Sequence, residues 1–366
     1  MRSRLARRGR VTPCCCWAPQ PGSAPRPWFS GFEQASHPRH RSNWRTRPRH
    51  CEGSIGERSP NHGDGPIASG GRQASCDGAE FVAMDLVTQH ACLPVLIDGC
   101  DSVIHAAALS ASWGNRRDFV AANITATRRL LEVAGAAGVQ RFVFVSSPSI
   151  FAAFRNRLSI GEANAPTHPL NAYALTKLAA ERLVLAARDD AMACCAIRPR
   201  ALVGEGDRVV LPRLVELAQR ARMPLPGGGR ALVEMTDLRD AAWAICEAEH
   251  RASVLRARAI NISGGQPLSV RDIAMGLATS LGTSPKLVTV PIGLARLLAI
   301  ALEAFARLAG ATKEPVLTRY TLATLGWSQT FDQEPAQRLL GYRPRHNAFE
   351  SLLAEARKLA VNRGEP

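Results

Sequence analysis

The chain has 366 residues, 46% of them apolar and 21% charged, with a formal net charge of +15. This length holds one large domain or two moderate ones, and the apolar share is that of a globular protein, which excludes a chain too polar to build a core. The charge is uneven: residues 1–76 contain 13 Arg, no Lys and 4 acids, and so carry +9 of the +15.

Those first 76 residues also hold 5 of the 10 Cys, 3 of the 6 Trp and 9 of the 24 Pro, with only four branched aliphatic residues: Leu5, Val11, Ile55 and Ile67. Such a segment cannot bury enough apolar area to offset chain entropy and is expected to be disordered if it is real. Arginine clusters bind phosphates, but these arginines form no periodic stripe, so nucleic acid is not expected as a partner. A targeting peptide would need an apolar run, which is missing. The preferred reading is an out-of-frame segment. Arg, Pro, Ser, Gly, Cys, Trp and His are what GC-rich coding DNA yields in the wrong frame. Back-translating Trp17–Ala24 in a shifted frame permits a G-x-x-x-G-x-G loop.

From Gly78 the pattern becomes regular. A short apolar strand is expected over 79–86, ending at Asp85, then a helix over 90–99 and a strand over 101–108. A helix is expected over 119–134, a strand over 141–146, a helix from 172 to about 188 and a strand over 191–200. This alternation implies an α/β fold with a doubly wound parallel sheet. Beyond Val203 the sequence predicts a helix over 210–221, a turn into a strand over 224–235, a helix over 237–250 and a strand over 257–265. Gly227-Gly228-Gly229 precedes a strand rather than a helix, so it is a turn and not a phosphate loop. Ser269 and Asp272 form a capping box for the next helix. In the apolar helix over 292–311, Arg296, Glu303 and Arg307 share one narrow polar stripe. Charges at those intervals exclude a transmembrane span. The helix packs on the C-terminal half or serves as an apolar lid or membrane-surface contact. Cys92, Cys100, Cys194, Cys195 and Cys246 show no metal spacing; no metal is expected, and a reducing, cytoplasmic setting is.

One pair of residues carries chemistry. Tyr173 and Lys177 stand four apart in the apolar-periodic string AYALTKLAAERLVLAA. On a helix this spacing stacks both side chains on one face. Tyrosine alone titrates near ~10, and a nearby positive charge favours its phenolate, so the pair makes a usable acid/base. Ser147 closes the apolar strand RFVFVSS, where its hydroxyl could hold a substrate oxygen in the same cleft.

These residues resemble the Ser/Tyr/Lys set of the short-chain dehydrogenase/reductase superfamily, in its extended, epimerase/dehydratase-like branch. DSVIHAAA, FVAANITATRRLLEVA, RFVFVSSPSIF and AIRPRALVGEGD follow in the order of that family's strands and helices, and the similarity runs from about Gly78 to about Ser351. Three strings resemble its 3β-hydroxysteroid dehydrogenase/isomerase-like or sterol-dehydrogenase-like subgroup: RPRALVGEGDRVVLPRLVELA, GGGRALVEMTDLRDAAWA and LTRYTLATLGWSQTFDQEPAQRLLGYRP.

The resemblance implies a Rossmann-type sheet that binds NAD or NADP, with a smaller C-terminal α/β substrate domain. Residues 1–76 do not match; 77–202 would be an incomplete cofactor domain, and 203–366 mainly the substrate part, partly interleaved with the sheet. Tyr173 would be the acid/base. Lys177 would lower its pKa and hold the nicotinamide ribose, Ser147 would bind the substrate oxygen, and Asn123 would shape the proton path or pack the helix. Asp85 and Leu86 would meet the adenine, or Asp85 would cap a strand end. His105, Ala106, Ala107 and Ala108 would run under the cofactor, and Pro199 would lie near the nicotinamide. The substrate would be a small hydrophobic secondary alcohol or ketone, the assembly a homodimer through the Asn123 and Tyr173 helices. A nucleotide-sugar epimerase or dehydratase, a reductase of long-chain β-keto acids and the inactive product of a damaged gene are the alternatives. The family's first strand, glycine loop, first helix and second strand have no counterpart here. Losing about 1,000 Å² of buried apolar surface would forfeit roughly 25 kcal/mol, against a usual net stability of about 5–15 kcal/mol. The chain as written is therefore expected to bind dinucleotide poorly or to misfold.

Overall fold

A computed structural model describes residues 82–362, apart from 167, 188–190, 208–210 and 312. The basic segment 1–76, and with it the out-of-frame reading, lies outside the described residues. Over its described part the strand expected to end at Asp85 is absent: Val82–Met84 carry no regular structure. Asp85 instead opens a turn, its Oδ1 accepting from the Val87 amide and its Oδ2 from the Thr88 hydroxyl, each at 2.9 Å. An aspartate that satisfies its own downstream amide offers the backbone an alternative to a strand ladder.

The expected alternation then appears. Four parallel strands lie side by side in chain order: β1 (Ser102–His105), β2 (Arg141–Val145), β3 (Ala193–Pro199) and β4 (Ala259–Ile262). In register, Val103 faces Phe142, Phe142 faces Cys194 and Ile197 faces Ile260. Every residue of β3 is buried, as a parallel strand covered on both faces requires. Successive side chains leave a strand on opposite faces. Phe142 and Phe144 pack on one side against helices α1 (Ala126–Ala136) and α2 (Ala172–Leu185) through Leu130, Ala134, Ala180 and Val184. Val143, Cys195 and Ile197 pack on the other against α3 (Leu238–His250) through Ala244, Ile245 and Ala248. Because β4 comes from beyond Val203, the C-terminal half is interleaved with the sheet. Among the described residues, β2 is the only strand paired with β1.

The helix expected over 119–134 begins earlier and is not uniform. Arg116–Phe119 is α-helical, Val120–Thr125 is a π-turn, and the chain continues into α1 without a break.

The remaining C-terminal segments build a second core around Val203, Leu211, Val215, Leu225, Ile273, Leu277 and Leu352. A second, mixed sheet sits beside it, in the order Leu268–Ser269, Leu232–Val233, Gln329–Phe331 and Arg157–Ile160. Gly227, Gly228 and Gly229 have φ of 58°, 75° and 71°, the left-handed region that glycine enters freely, so this run is a tight turn as expected. The Ser269 hydroxyl accepts from the Asp272 amide at 3.0 Å and caps the helix Val270–Ser280.

One helix sits the opposite way round from its sequence pattern. In α4 (Ile292–Leu308) the buried positions are Ala295, Ala299, Glu303 and Ala306. The large apolar side chains point out: Leu297 is 68% exposed, Phe305 72% and Leu308 89%. The alanines let α4 approach α5 (Arg319–Gly326), where Leu322 packs on Ala295 and Ala299. Glu303 is drawn inward because it accepts from the Arg319 amide at 2.6 Å and pairs with Arg319 and Arg307 at 2.9 Å each. The expected outward stripe is thus split, with its acid inside. No helix among the described residues is long and apolar enough to cross a membrane.

Candidate active site

The sheet brings its C-terminal strand ends and the start of α2 to one place. Asn171 caps α2, its Oδ1 accepting from the Ala174 amide at 2.9 Å. Tyr173 follows on the first turn and Lys177 one turn later, as the spacing predicted. The Ser147 and Ser110 hydroxyls both hydrogen-bond the Tyr173 phenol. Ser147 ends the extended run after β2, and its Oγ also accepts from the Ser149 amide at 3.2 Å, which fixes the turn Pro148–Phe151.

The electrostatics differ from the sequence expectation. Burial raises the Tyr173 phenol above its ordinary value, and the two serine hydrogen bonds offset only part of that. Lys177 is 2% exposed and pushed down to about 7 by burial, partly opposed by Glu181. Its ammonium does not aim its charge at the phenol. Nζ donates to the Val145 carbonyl at 2.6 Å and sits 4.1 Å from the centroid of the Phe144 ring. Tyr173 therefore holds its proton near neutral pH. With one N–H bound to Val145, Lys177 has two donors left, which suits the paired hydroxyls of a ribose.

Asn123 lies in the π-turn, 1% exposed, with its amide fully used. Its Oδ1 accepts from the Leu109 amide at 2.8 Å, and its Nδ2 donates to the Leu109 carbonyl at 3.3 Å and to Thr176 Oγ1 at 3.0 Å. It thereby fastens the loop after β1 to α2, between Tyr173 and Lys177. His105 ends β1, fully buried, with Nε2 2.8 Å from Thr127 Oγ1. Thr127 donates its single proton to the Asn123 carbonyl at 2.7 Å, so His105 must be the donor, through Nε2–H. Burial and then Lys177 push His105 down to about 3, and it is a neutral core residue. Ala107 is buried and Ala106 and Ala108 are half-buried in the same loop, and Pro199 is buried at the end of β3. Asp85 uses its carboxylate in its own turn, and Leu86 is 3% exposed within the core below α1. No Gly-rich loop between strand and helix is present among the described residues.

Three residues join the site that the motif reading did not name. Ser110, two places past Ala108, supplies the second hydroxyl on Tyr173. Tyr320, on α5, lies within electrostatic range of Tyr173 and Arg200; burial pushes its phenol up to about 12. Arg200, one residue past β3, is 7% exposed and has its guanidinium carbon 5.8 Å from the Phe331 ring centroid. Around the rim, Ser112 donates to Glu314, Glu314 pairs with Arg213 at 2.9 Å, and Trp113 Nε1 donates to the Ala311 carbonyl at 3.0 Å. These contacts tie the loop after β1 to the end of α4.

Residues 56–263 match the NAD dependent epimerase/dehydratase family, so the match begins some twenty residues before the boundary expected at 76. An uncharacterised protein of Escherichia coli, YbjS, is 34% identical over 73% of this chain and 80% of its own length. The 2-alkyl-3-oxoalkanoate reductase of Stenotrophomonas maltophilia is 30% identical over 70% of this chain and 79% of its own. Sterol-4-alpha-carboxylate 3-dehydrogenase, decarboxylating, of Mus musculus is 27% identical over 72% and 75%. Among solved structures, MoeE5 in complex with UDP-glucuronic acid and NAD aligns with a TM-score of 0.59 at 25% identity, over 78% of this chain and 87% of the other.

Proposed function

The chain belongs to the NAD dependent epimerase/dehydratase family and is an NAD(P)-dependent enzyme, and we propose that it interconverts a ketone and a secondary alcohol on a hydrophobic, steroid- or lipid-like substrate. The observation that carries this reading is the Tyr173 phenol, held protonated by burial and oriented by Ser147 and Ser110. Nicotinamide supplies or accepts the hydride when bound. In the reductive direction Tyr173 donates its proton to the carbonyl oxygen while Ser147 hydrogen-bonds the same oxygen. Lys177 would hold the ribose hydroxyls of the cofactor, and Pro199 with Ala106–Ala108 would line its nicotinamide end. Asn123 positions, by clamping the loop after β1. Sequence relatives support the hydrophobic substrate: one is named a 2-alkyl-3-oxoalkanoate reductase and another a sterol dehydrogenase.

Mixing the purified chain with NADH or NADPH and either a 2-alkyl-3-oxo acid or a 3-oxosteroid tests this by loss of nicotinamide absorbance. Turnover of either substrate, abolished in Tyr173→Phe, supports the reading. Turnover of UDP-glucose alone would favour the second reading, a nucleotide-sugar epimerase or dehydratase, which the likeness to MoeE5 supports. No NADH binding at all would mark the chain as the inactive product of a damaged gene.

The outward apolar face of α4 fits delivery of such a substrate from an anionic lipid surface. Arg307 and Arg319 border the face with side chains 57% and 41% exposed, while their acid, Glu303, is buried. Co-sedimentation with phosphatidylglycerol vesicles, lost in Phe305→Glu, checks this; equal sedimentation of both proteins would refute it. The same reading includes a homodimer through α1 and α2, tested by mass in solution. It also includes the cytoplasm, in keeping with the free state of Cys92, Cys100, Cys194, Cys195 and Cys246.

A further inference from the structure

Arg200 is a buried cation without a paired acid. Only 7% of it is exposed, and its Nε is buried with no hydrogen-bond partner. The groups that act on its charge are Tyr320 and Glu234. Neither neutralises it at contact. Glu234 is committed elsewhere, its Oε2 accepting from the Ser263 hydroxyl at 2.7 Å and the Phe331 amide at 3.1 Å. Tyr320 remains a neutral phenol, being pushed up to about 12. A desolvated guanidinium in this state is unfavourable until an anion reaches it. Its planar fork matches a carboxylate.

The location gives the anion a context. Ser147 and Ser149 flank Pro148 on one short turn. Ser147 bonds the Tyr173 phenol, and Tyr320 lies within electrostatic range of Tyr173 and Arg200 together. Tyr320 is thus a common neighbour of the proton donor and the unpaired cation. Phe331 lies beneath the guanidinium and packs on Phe151 at 5.9 Å between centroids, so the cation has an aromatic floor in place of a counter-ion.

We infer that Arg200 binds a carboxylate carried by the substrate beside its reacting carbonyl, which makes the preferred substrate a 3-oxo acid rather than a neutral ketone. This rests on the reading of Tyr173 as the proton donor to that carbonyl. Tyr320, within electrostatic range of both groups, would help to hold the guanidinium in place.

The test compares 3-oxododecanoate with its methyl ester as substrates, and 3-hydroxydodecanoate with its methyl ester as ligands in thermal melts. The wild-type chain reduces the acid with a kcat/KM about ten- to a hundredfold above the ester, the range of a hydrogen bond to a charged group. In Arg200→Met that preference falls toward one, and in Arg200→Lys part of it remains. Without ligand, Arg200→Met melts no lower than wild type, because it removes an unpaired buried charge. A preference that survives in Arg200→Met overturns the inference, and so does a drop of several degrees in its ligand-free Tm, which marks a structural cation. If neither substrate is reduced, the oxidoreductase reading fails and the melts still decide. A Tm rise with 3-hydroxydodecanoate in wild type but not in Arg200→Met upholds the carboxylate site, and no rise overturns it.

Discussion

Arg198 and Arg200 stand two residues apart, at the end of β3 and just beyond it, and the two regions around them treat a buried guanidinium in opposite ways. Around Arg198 every guanidinium nitrogen has a partner. Its Nε and Nη2 form a fork on Glu181 at 2.8 and 2.6 Å, and its Nη1 reaches the Glu162 carbonyl at 3.1 Å and Asn261 at 3.4 Å. Around Arg200 the nearest acid serves other donors and Nε has none. Burial alone therefore does not separate scaffold from site; the state of the hydrogen bonds does. Arg198 locks α2, which carries Tyr173 and Lys177, onto the sheet. Arg200 awaits a ligand.

The comparison breaks most visibly if Arg198 proves dispensable. Arg198→Met leaves Glu181 as an unpaired buried charge and should cost about 3–5 kcal/mol in urea melts. A loss below about 1 kcal/mol would erase the contrast with Arg200. Tyr173→Phe sharpens it from the side of function: kcat should fall by about 10²–10⁴-fold, with a Tm within about two degrees of wild type. Asn123→Ala comes next. It orphans the Leu109 amide and should cost about 1–3 kcal/mol, and a kcat that falls with a rising KM would show the loop shifting against α2.

A subtler separation lies in pH. Lys177 has a folded pKa of about 7 against an ordinary 10.5. Between those values the unfolded chain binds the proton and the folded chain does not, so this residue makes stability rise from pH 7 to pH 10 and adds no slope below 7. The difference in stability between wild type and Lys177→Met should show that rise; a flat difference across pH 7–10 would place the ammonium in water. The smallest effect expected is at the exposed pair Arg220–Glu216, 2.7 Å apart, where Arg220→Ala should change stability by no more than about 0.5 kcal/mol.

Much of this was legible in the sequence because it depends on local period. The four parallel strands, α1, α2 and the placing of Tyr173 and Lys177 one turn apart on α2 all follow from spacing along one segment. The direction of the tyrosine shift was not legible, because burial sets it, and because Lys177 turns to a carbonyl on β2. The orientation of α4 was hidden for a related reason. A helical wheel shows Glu303 on a polar stripe, but Arg319, sixteen residues on, takes it inward. Arg200 and Tyr320 come from segments 120 residues apart and meet only in the fold. Asp85 fell to competition: an acid that can close its own turn overrode the apolar run before it.

The π-turn at Val120–Thr125 makes this site sensitive to counting. A π-turn holds one residue more than α geometry allows, the mark of a single inserted residue in an otherwise regular helix. Deleting Ala121 would restore the α repeat with both flanks keeping their faces, and the residues of the turn, Asn123 among them, would move to new positions around the axis. Asn123 could then no longer meet Leu109 and Thr176 together. A one-codon deletion that removes no functional side chain and leaves the helix intact would thus disconnect the loop beneath Tyr173, so the tolerated lengths of this helix, more than its composition, set which variants stay active.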